Sequence, residues 1–173
     1  MANDPAAEMS SGSSGIIERA GQQGRIHMNV DENGKKTPGG FVALTATVDP
    51  KATIGPKAMV LDKAQVGPNA LVDEYAIVAG EASITDFAKI KKHGRVEGQA
   101  VVGDRARVSG YAIVTGTAFF GGQAHAAGDA FFDRGRRMGG NANWGYNQEA
   151  RAAYIKEHGL EKYYAHMKIK KKQ

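Results

Sequence analysis

The chain has 173 residues, 42% of them hydrophobic and 24% charged, with 23 glycines, no cysteine and a formal net charge of +5. This length fits one domain with a real core, and the glycine content favours many tight turns over long helices. The lack of cysteine excludes disulfides, thiolate metal sites and cysteine nucleophiles.

Residues 1–24 form the first predicted segment, a flexible arm whose first 14 residues are polar and rich in Gly and Ser. The arm lacks the basic start and apolar run of a secretory signal. No stretch of the chain approaches the roughly 18 apolar residues of a membrane helix. We therefore expect no membrane contact, and a location in the cytoplasm or in a larger particle such as a virion.

Residues 25–41 are predicted to form a leader strand and turn. Ile26, Met28 and Val30 alternate with polar residues, and the turn sequence DENG follows them. This segment is expected to lead into the repeats and to cover their first coil.

Residues 42–144 carry a repeat of six residues. In steps of six from Ala46 to Ala142, 15 of the 17 positions are Ala, and the 17 positions two residues further on are all apolar. Residues two apart in an extended chain share a face, so each hexad turns one small and one bulky residue inward. Turn residues follow each pair, as in VDPK and VGPN. Strands this short bury a core only when they are stacked in coils.

The motifs VDPKAT, IGPKAM and VGPNAL resemble the hexapeptide-repeat family. That resemblance implies an all-β fold, a left-handed parallel β-helix with three hexads per coil and about five to six coils over residues 42–144. It also implies C-terminal helices after the repeats and assembly as a homotrimer through one face of the prism.

A candidate catalytic residue is His93, which an 18-residue coil stacks between Tyr75 and Tyr111. Many proteins of the resembled family are acyltransferases that use a His as general base at a subunit interface, and the tyrosine hydroxyls could tune such a base. Lys91, Lys92 and Arg95 nearby could hold the phosphates of an acyl-CoA. An exposed aromatic ladder among solvated lysines explains the same residues. No inserted loop is present to close an acceptor pocket.

One outward column of the repeat is a candidate subunit contact, because apolar side chains dominate positions that should be wet. Its members are Met59, Ile77, Arg95, Ile113 and Phe131. The alternative is that the leader or the C-terminal segment of the same chain covers this column. Arg95 would need a carboxylate beside it, for which Glu97 of a neighbouring subunit is the expected source.

Residues 145–173 are predicted to form a helical segment with a basic tail. From 151 to 173 the chain has seven Lys or Arg and two Glu, which accounts for the whole net charge. The tail lysines are Lys168, Lys170, Lys171 and Lys172. Nucleic acid could be bound through this tail alone, and a solvated tail explains it equally.

The sequence thus favours a non-catalytic homotrimeric β-helix that serves as a structural or assembly protein with protein partners in a larger particle, such as a capsid decoration or tail component. The alternatives are an acyl-CoA-dependent acyltransferase using His93 and a carbohydrate-binding module using the tyrosine ladder. No cofactor is expected. No metal is expected either, because the five His lack the close spacing of a zinc site.

Overall fold

The computed structural model describes residues 15–133, 135–145, 152, 155 and 156, and it confirms an all-β parallel solenoid. The described residues include three longer strands, β1 (Ile17–Arg19), β2 (Gln22–Val30) and β3 (Lys36–Ala43). Seventeen two-residue strands follow: β4 (Thr47–Val48), β5 (Thr53–Ile54), β6 (Met59–Val60), β7 (Gln65–Val66), β8 (Leu71–Val72), β9 (Ile77–Val78), β10 (Ser83–Ile84), β11 (Lys89–Ile90), β12 (Arg95–Val96), β13 (Val101–Val102), β14 (Arg107–Val108), β15 (Ile113–Val114), β16 (Phe119–Phe120), β17 (His125–Ala126), β18 (Phe131–Phe132), β19 (Arg137–Met138) and β20 (Asn143–Trp144).

The short strands stack into three parallel sheets, because each strand pairs with the strand 18 residues further on. We call β1-β2-β3-β6-β9-β12-β15-β18 the leader sheet and β5-β8-β11-β14-β17-β20 the basic sheet. The third sheet is β4-β7-β10-β13-β16-β19. The predicted coil of three hexads is therefore confirmed. The left-handed sense of the coil stays a prediction from the resemblance.

The hexad explains the interior of the solenoid. In β6, for example, Met59 points outward, whereas Ala58 and Val60 on either side are fully buried. The coils are joined by backbone hydrogen bonds such as that from Met59 N–H to the Ala76 carbonyl, 3.0 Å long. Buried Ala and branched aliphatic residues form one continuous core, and no polar or charged residue of the described chain is buried. Burial of apolar surface between coils is thus the main stabilising contribution.

The corners explain why small and turn-forming residues follow each strand. Several corner residues have positive φ, among them Asp62 at 56° and Asp104 at 55°. Gly80 has a φ of 68°, and a Cβ atom there would lie 2.8 Å from the Gly98 nitrogen of the next coil. The positive φ favours glycine at this position, and the close approach of the next coil leaves no room for a side chain.

The leader is confirmed as a strand and turn, and it begins earlier than predicted. The strand β2 pairs antiparallel with β3, and β1 pairs with β2. Asp31 Oδ1 accepts hydrogen bonds from the Asn33 and Lys35 amides at 2.9 Å, which closes the turn. Residues 17–19 and 22–24, predicted to belong to a flexible arm, are strand instead, because they continue the hairpin that covers the first coil. Residues 1–14 lie outside the described residues.

Side chains of the leader also pair with the exposed edge of the first coil. The Asn29 amide donates to the Ile54 carbonyl at 2.9 Å, and its oxygen accepts from the Ile54 amide at 2.8 Å. His27 Nε2 lies 3.1 Å from the Ala52 carbonyl oxygen. One amide side chain therefore supplies β5 with the donor and acceptor that a preceding strand would supply.

The predicted C-terminal helical segment lies mostly outside the described residues. Of residues 145–173, the structure describes 145, 152, 155 and 156, and the last three are helical. The basic tail of Lys168, Lys170, Lys171 and Lys172 is not among them. Within the described residues, no helix has the length and apolar character needed to cross a bilayer.

Candidate functional site

The structure brings Tyr75, His93 and Tyr111 together at one corner of the solenoid, as the 18-residue coil predicts. The ring centroids of Tyr75 and His93 are 5.0 Å apart, and those of His93 and Tyr111 are 4.7 Å apart. The planes are inclined by 10° and 3°, so the three rings form a parallel stack. The spacing of the rings follows from the spacing of neighbouring strands, about 4.8 Å.

This stack leaves the His93 ring little freedom to act on a substrate. Both of its faces are occupied by tyrosines, and its Nδ1 atom is buried without a hydrogen-bond partner. The Tyr75 hydroxyl accepts a hydrogen bond of 2.8 Å from Lys57 Nζ. The stacking contacts of His93 hold its side chain in place between neighbouring coils.

The same geometry bears on binding of sugar rings. Stacking on a carbohydrate needs a free aromatic face. In the ladder, the inner faces of Tyr75 and Tyr111 lie on His93, and the ammonium group of Lys57 lies 4.8 Å from the Tyr75 centroid. These contacts occupy the ring of Tyr75 and the inner face of Tyr111.

A cavity of about 360 Å³ lies at the N-terminal end of the solenoid, far along the chain from His93. The leader strand β2 forms one wall of this cavity and the first coil forms the other. Its lining includes Ile26, Met28, Val42 and Val48. The cavity thus sits where the first coil begins, and neither His93 nor a tyrosine of the ladder lines it.

The five residues of the candidate contact column all lie on the outer face of the leader sheet. Ile113 and Phe131 retain only 5% and 2% of their accessible surface in a single chain, and the other three members are half-buried. At the N-terminal end, Ile17 of the leader packs in one cluster with Met59 and Ile77. Part of the column is therefore covered by its own chain, which reduces the apolar area that it can offer to another subunit.

The carboxylate beside Arg95 belongs to Glu97 of the same chain. This corrects the expectation that a neighbouring subunit supplies it. Its Nε atom lies 2.6 Å from Glu97 Oε2, and the side chains retain 32% and 15% of their accessible surface. The two residues are two apart and therefore share the outer face of the sheet. The charge of Arg95 is thus balanced inside one chain.

A second histidine site, which the sequence analysis missed, lies on the outer face of the basic sheet. Ser109 Oγ and His125 Nε2 are 2.8 Å apart. Partial burial, followed by the charges of Arg107 and Lys92, holds the pKa of His125 below its ordinary value of 6.5. The signal in the sequence is the separation of 16 residues between Ser109 and His125. A coil has 18 residues, so an outward side chain can contact the residue 18 positions away on the next coil, or the outward residue two positions before that one.

Among the described residues, no group of three or more His, Asp or Glu could hold a metal ion. His93 and His125 lie apart, one on a corner and the other on a sheet face. Comparison with protein-family models and with curated proteins gives no match for this chain.

Proposed function

We propose that this protein is a non-catalytic structural module, a rigid rod that assembles as a homotrimer within a larger particle. The observation that carries the proposal is the unbroken register: a strand begins at every sixth residue from Thr47 to Asn143. No loop leaves the coils between these strands to enclose an acceptor site. A stacked core of this kind resists bending because every coil is bonded to the next.

The arrangement of His93 supports the same proposal against an acyltransferase. A general base must reach the proton that it abstracts, at hydrogen-bond distance or through one water. Both faces of the His93 ring are covered by tyrosines and its Nδ1 atom is buried without a hydrogen-bond partner, so Nε2 is the one nitrogen left to act as a base. The stack of Tyr75, His93 and Tyr111 instead stabilises the solenoid, because these side chains join three successive coils on the outside.

The trimer rests on the apolar column of the leader sheet and on the resemblance to the hexapeptide-repeat family. The test is the mass in solution, measured by light scattering after size-exclusion chromatography. We expect three times 18.4 kDa. A single mass of 18.4 kDa at micromolar concentration would overturn the trimer.

Cysteine labelling adds a site-specific test, because the natural chain has no cysteine. In the trimer, a thiol introduced by Arg95→Cys is buried between subunits and reacts slowly with a maleimide. The matched control is Lys89→Cys on the basic sheet, which is exposed and should react at once. Equal and rapid labelling of both variants would exclude the leader sheet as the interface.

The catalytic alternative is tested separately with acyl-CoA. We expect no turnover with alcohol or amine acceptors and no change on His93→Ala. Turnover that disappears in His93→Ala would overturn the non-catalytic proposal.

A further inference from the structure

We propose that the outer face of the basic sheet binds a tetrahedral dianion, the phosphoryl group of a phosphorylated ligand, through Arg107, Lys92, Ser109 and His125. This inference goes beyond the structural role proposed above and does not depend on the oligomeric state. It rests on the register of the sheet, on the lack of compensating acids and on the Ser109–His125 contact.

The register places cationic side chains side by side. Lys89 is the pairing partner of Arg107, and Arg107 is the pairing partner of His125. Neighbouring strands are about 4.8 Å apart, so the three side chains leave the same face in one row. Like charges at directly opposite positions of a sheet are destabilising. A bound anion would relieve that repulsion.

No acid of the described chain neutralises this row. The ion pair found among the described residues, Arg95–Glu97, belongs to the leader sheet. Lys89, Lys92 and Arg107 are exposed, and none of them forms an ion pair with an acid in the described part of the chain. In the preceding coil, Asp73 accepts a hydrogen bond from the Glu74 amide, and neither carboxylate is within 4.0 Å of a lysine or arginine nitrogen. The face is therefore a region of uncompensated positive charge.

Ser109 and His125 add the hydrogen-bonding groups that a tetrahedral oxyanion needs. In the tautomer that carries its proton on Nδ1, the neutral ring accepts a hydrogen bond at Nε2 from the Ser109 hydroxyl. When an anion binds, the ring takes up a proton and donates to Ser109 Oγ, and the hydroxyl turns its proton toward the anion. Arg107 and Lys92 provide two positive charges for the two negative charges of the ligand.

The charges around His125 make this exchange of protons measurable. The groups facing it are Arg107 from β14, Lys92 and Ser109 from the adjacent corner, and the neutral Asn143 from β20. Burial and the two cations keep the pKa of the free ring low. A dianion placed among them cancels the charge of the two cations and lies close to the ring, so binding must become tighter as the pH falls through the titration of His125.

The experiment is a titration of the full chain with inorganic phosphate and with sulfate, followed through the imidazole resonances of His125 by NMR. Sulfate is dianionic throughout the range pH 5–8 and isolates the proton taken up by His125. Ionic strength is held constant with sodium chloride. We expect a saturable shift with both anions, an upward move of the His125 midpoint, and at least tenfold tighter sulfate binding at pH 5 than at pH 8.

Three variants and one control test the assignment. Arg107→Gln and Lys92→Gln should each weaken binding at least fivefold, and Ser109→Ala several-fold. Lys51→Gln removes an exposed lysine from another coil and should change nothing. An adventitious ion only, with the same affinity in Arg107→Gln as in Lys51→Gln, would overturn the proposal. So would a shift that chloride reproduces.

The source of the phosphoryl group is distinguished by its charge. A phosphomonoester such as O-phosphoserine, or a phosphatidic acid vesicle, presents a dianion and should compete with sulfate. A short single-stranded oligonucleotide has only singly charged diesters and should compete at least tenfold less well per phosphate. Oligonucleotide binding without any phosphate binding would overturn the dianion site.

Discussion

Within the coils, the leader sheet and the basic sheet share one interior, and their outer faces differ. Inside, both present the same columns of Ala and branched aliphatic residues, fully buried. Outside, the coil strands of the leader sheet carry apolar residues and Arg95, which Glu97 neutralises, whereas the basic sheet carries Lys89 and Arg107 without an ion-pair partner among the described residues. The inward positions of the hexad therefore determine the fold. The outward position of each hexad is then free to carry a contact surface on one side and a charged surface on another.

We expect the largest loss of stability from substitutions in the solenoid core, and there the two sheets should respond alike. Val96→Asp in β12 and Val108→Asp in β14 each bury a carboxylate with no hydrogen-bond partner, which costs about 4 kcal/mol or more. Thermal unfolding followed by circular dichroism should show both variants unfolded, or strongly destabilised, at neutral pH. The matched control is Val101→Asp, an outward position, which should leave the protein folded. Tolerance of either buried aspartate would contradict the shared core.

On the outer faces, the same kind of substitution should destabilise the two sheets by different amounts. Ile113→Asp on the leader sheet places a charge at a position that keeps 5% of its accessible surface, and we expect a loss of about 3 kcal/mol. Leu71→Asp is the corresponding change on the basic sheet. Leu71 is only half-buried, so the expected loss of stability is about 1 kcal/mol. Urea unfolding measures both variants. Equal losses would show that the two faces are covered to the same degree.

Substitutions of charged residues on the two outer faces should change the free energy of unfolding in opposite directions. Glu97→Gln leaves Arg95 unpaired on a partly covered face, and since the pair is only partly buried we expect a loss of about 1 kcal/mol. Arg107→Gln removes a repelling charge and should be neutral or stabilising by about 0.5 kcal/mol. Both are measured by urea unfolding at low ionic strength. If Arg107→Gln instead lowered the stability, Arg107 would have to form a stabilising contact in the folded protein.

The smallest effect is the pH dependence that His125 contributes. Because its pKa is lowered in the folded state, the unfolded chain binds the extra proton first as the pH falls. The contribution of His125 to stability is therefore complete above about pH 6.5 and is lost below it. His125→Gln should flatten the fall in melting temperature between pH 7.5 and pH 5. An unchanged slope would place His125 in a neutral environment.

The sequence predicts the interior of this protein almost completely and the exterior only in part. Steps of six residues predict every short strand, because the core positions repeat without an insertion. The stack of Tyr75, His93 and Tyr111 was predicted as well, since a separation of 18 places residues on top of one another. These contacts depend only on the period.

Contacts outside the period could not be predicted. The pairing of Asn29 with Ile54 joins a hairpin to a coil, and nothing in the repeat fixes how the hairpin lies on it. The strand at residues 17–19 was missed because its partner in β2 decides its conformation, and its local composition suggested a flexible arm. Ser109 and His125 were missed because only residues in the same column were compared, whereas their side chains lean across two columns.

The amide of Asn29, bonded to both polar groups of Ile54, has a consequence for growth of the solenoid. A coil from another molecule could add to the first coil only by forming these same bonds, and together with β2 the leader already occupies the edges of β3 and β5. The leader thus covers the edges of two of the three sheets at this end and hinders end-on fibre growth in that direction. Deleting residues 15–35 would free this template, and the shortened protein should form filaments visible by electron microscopy.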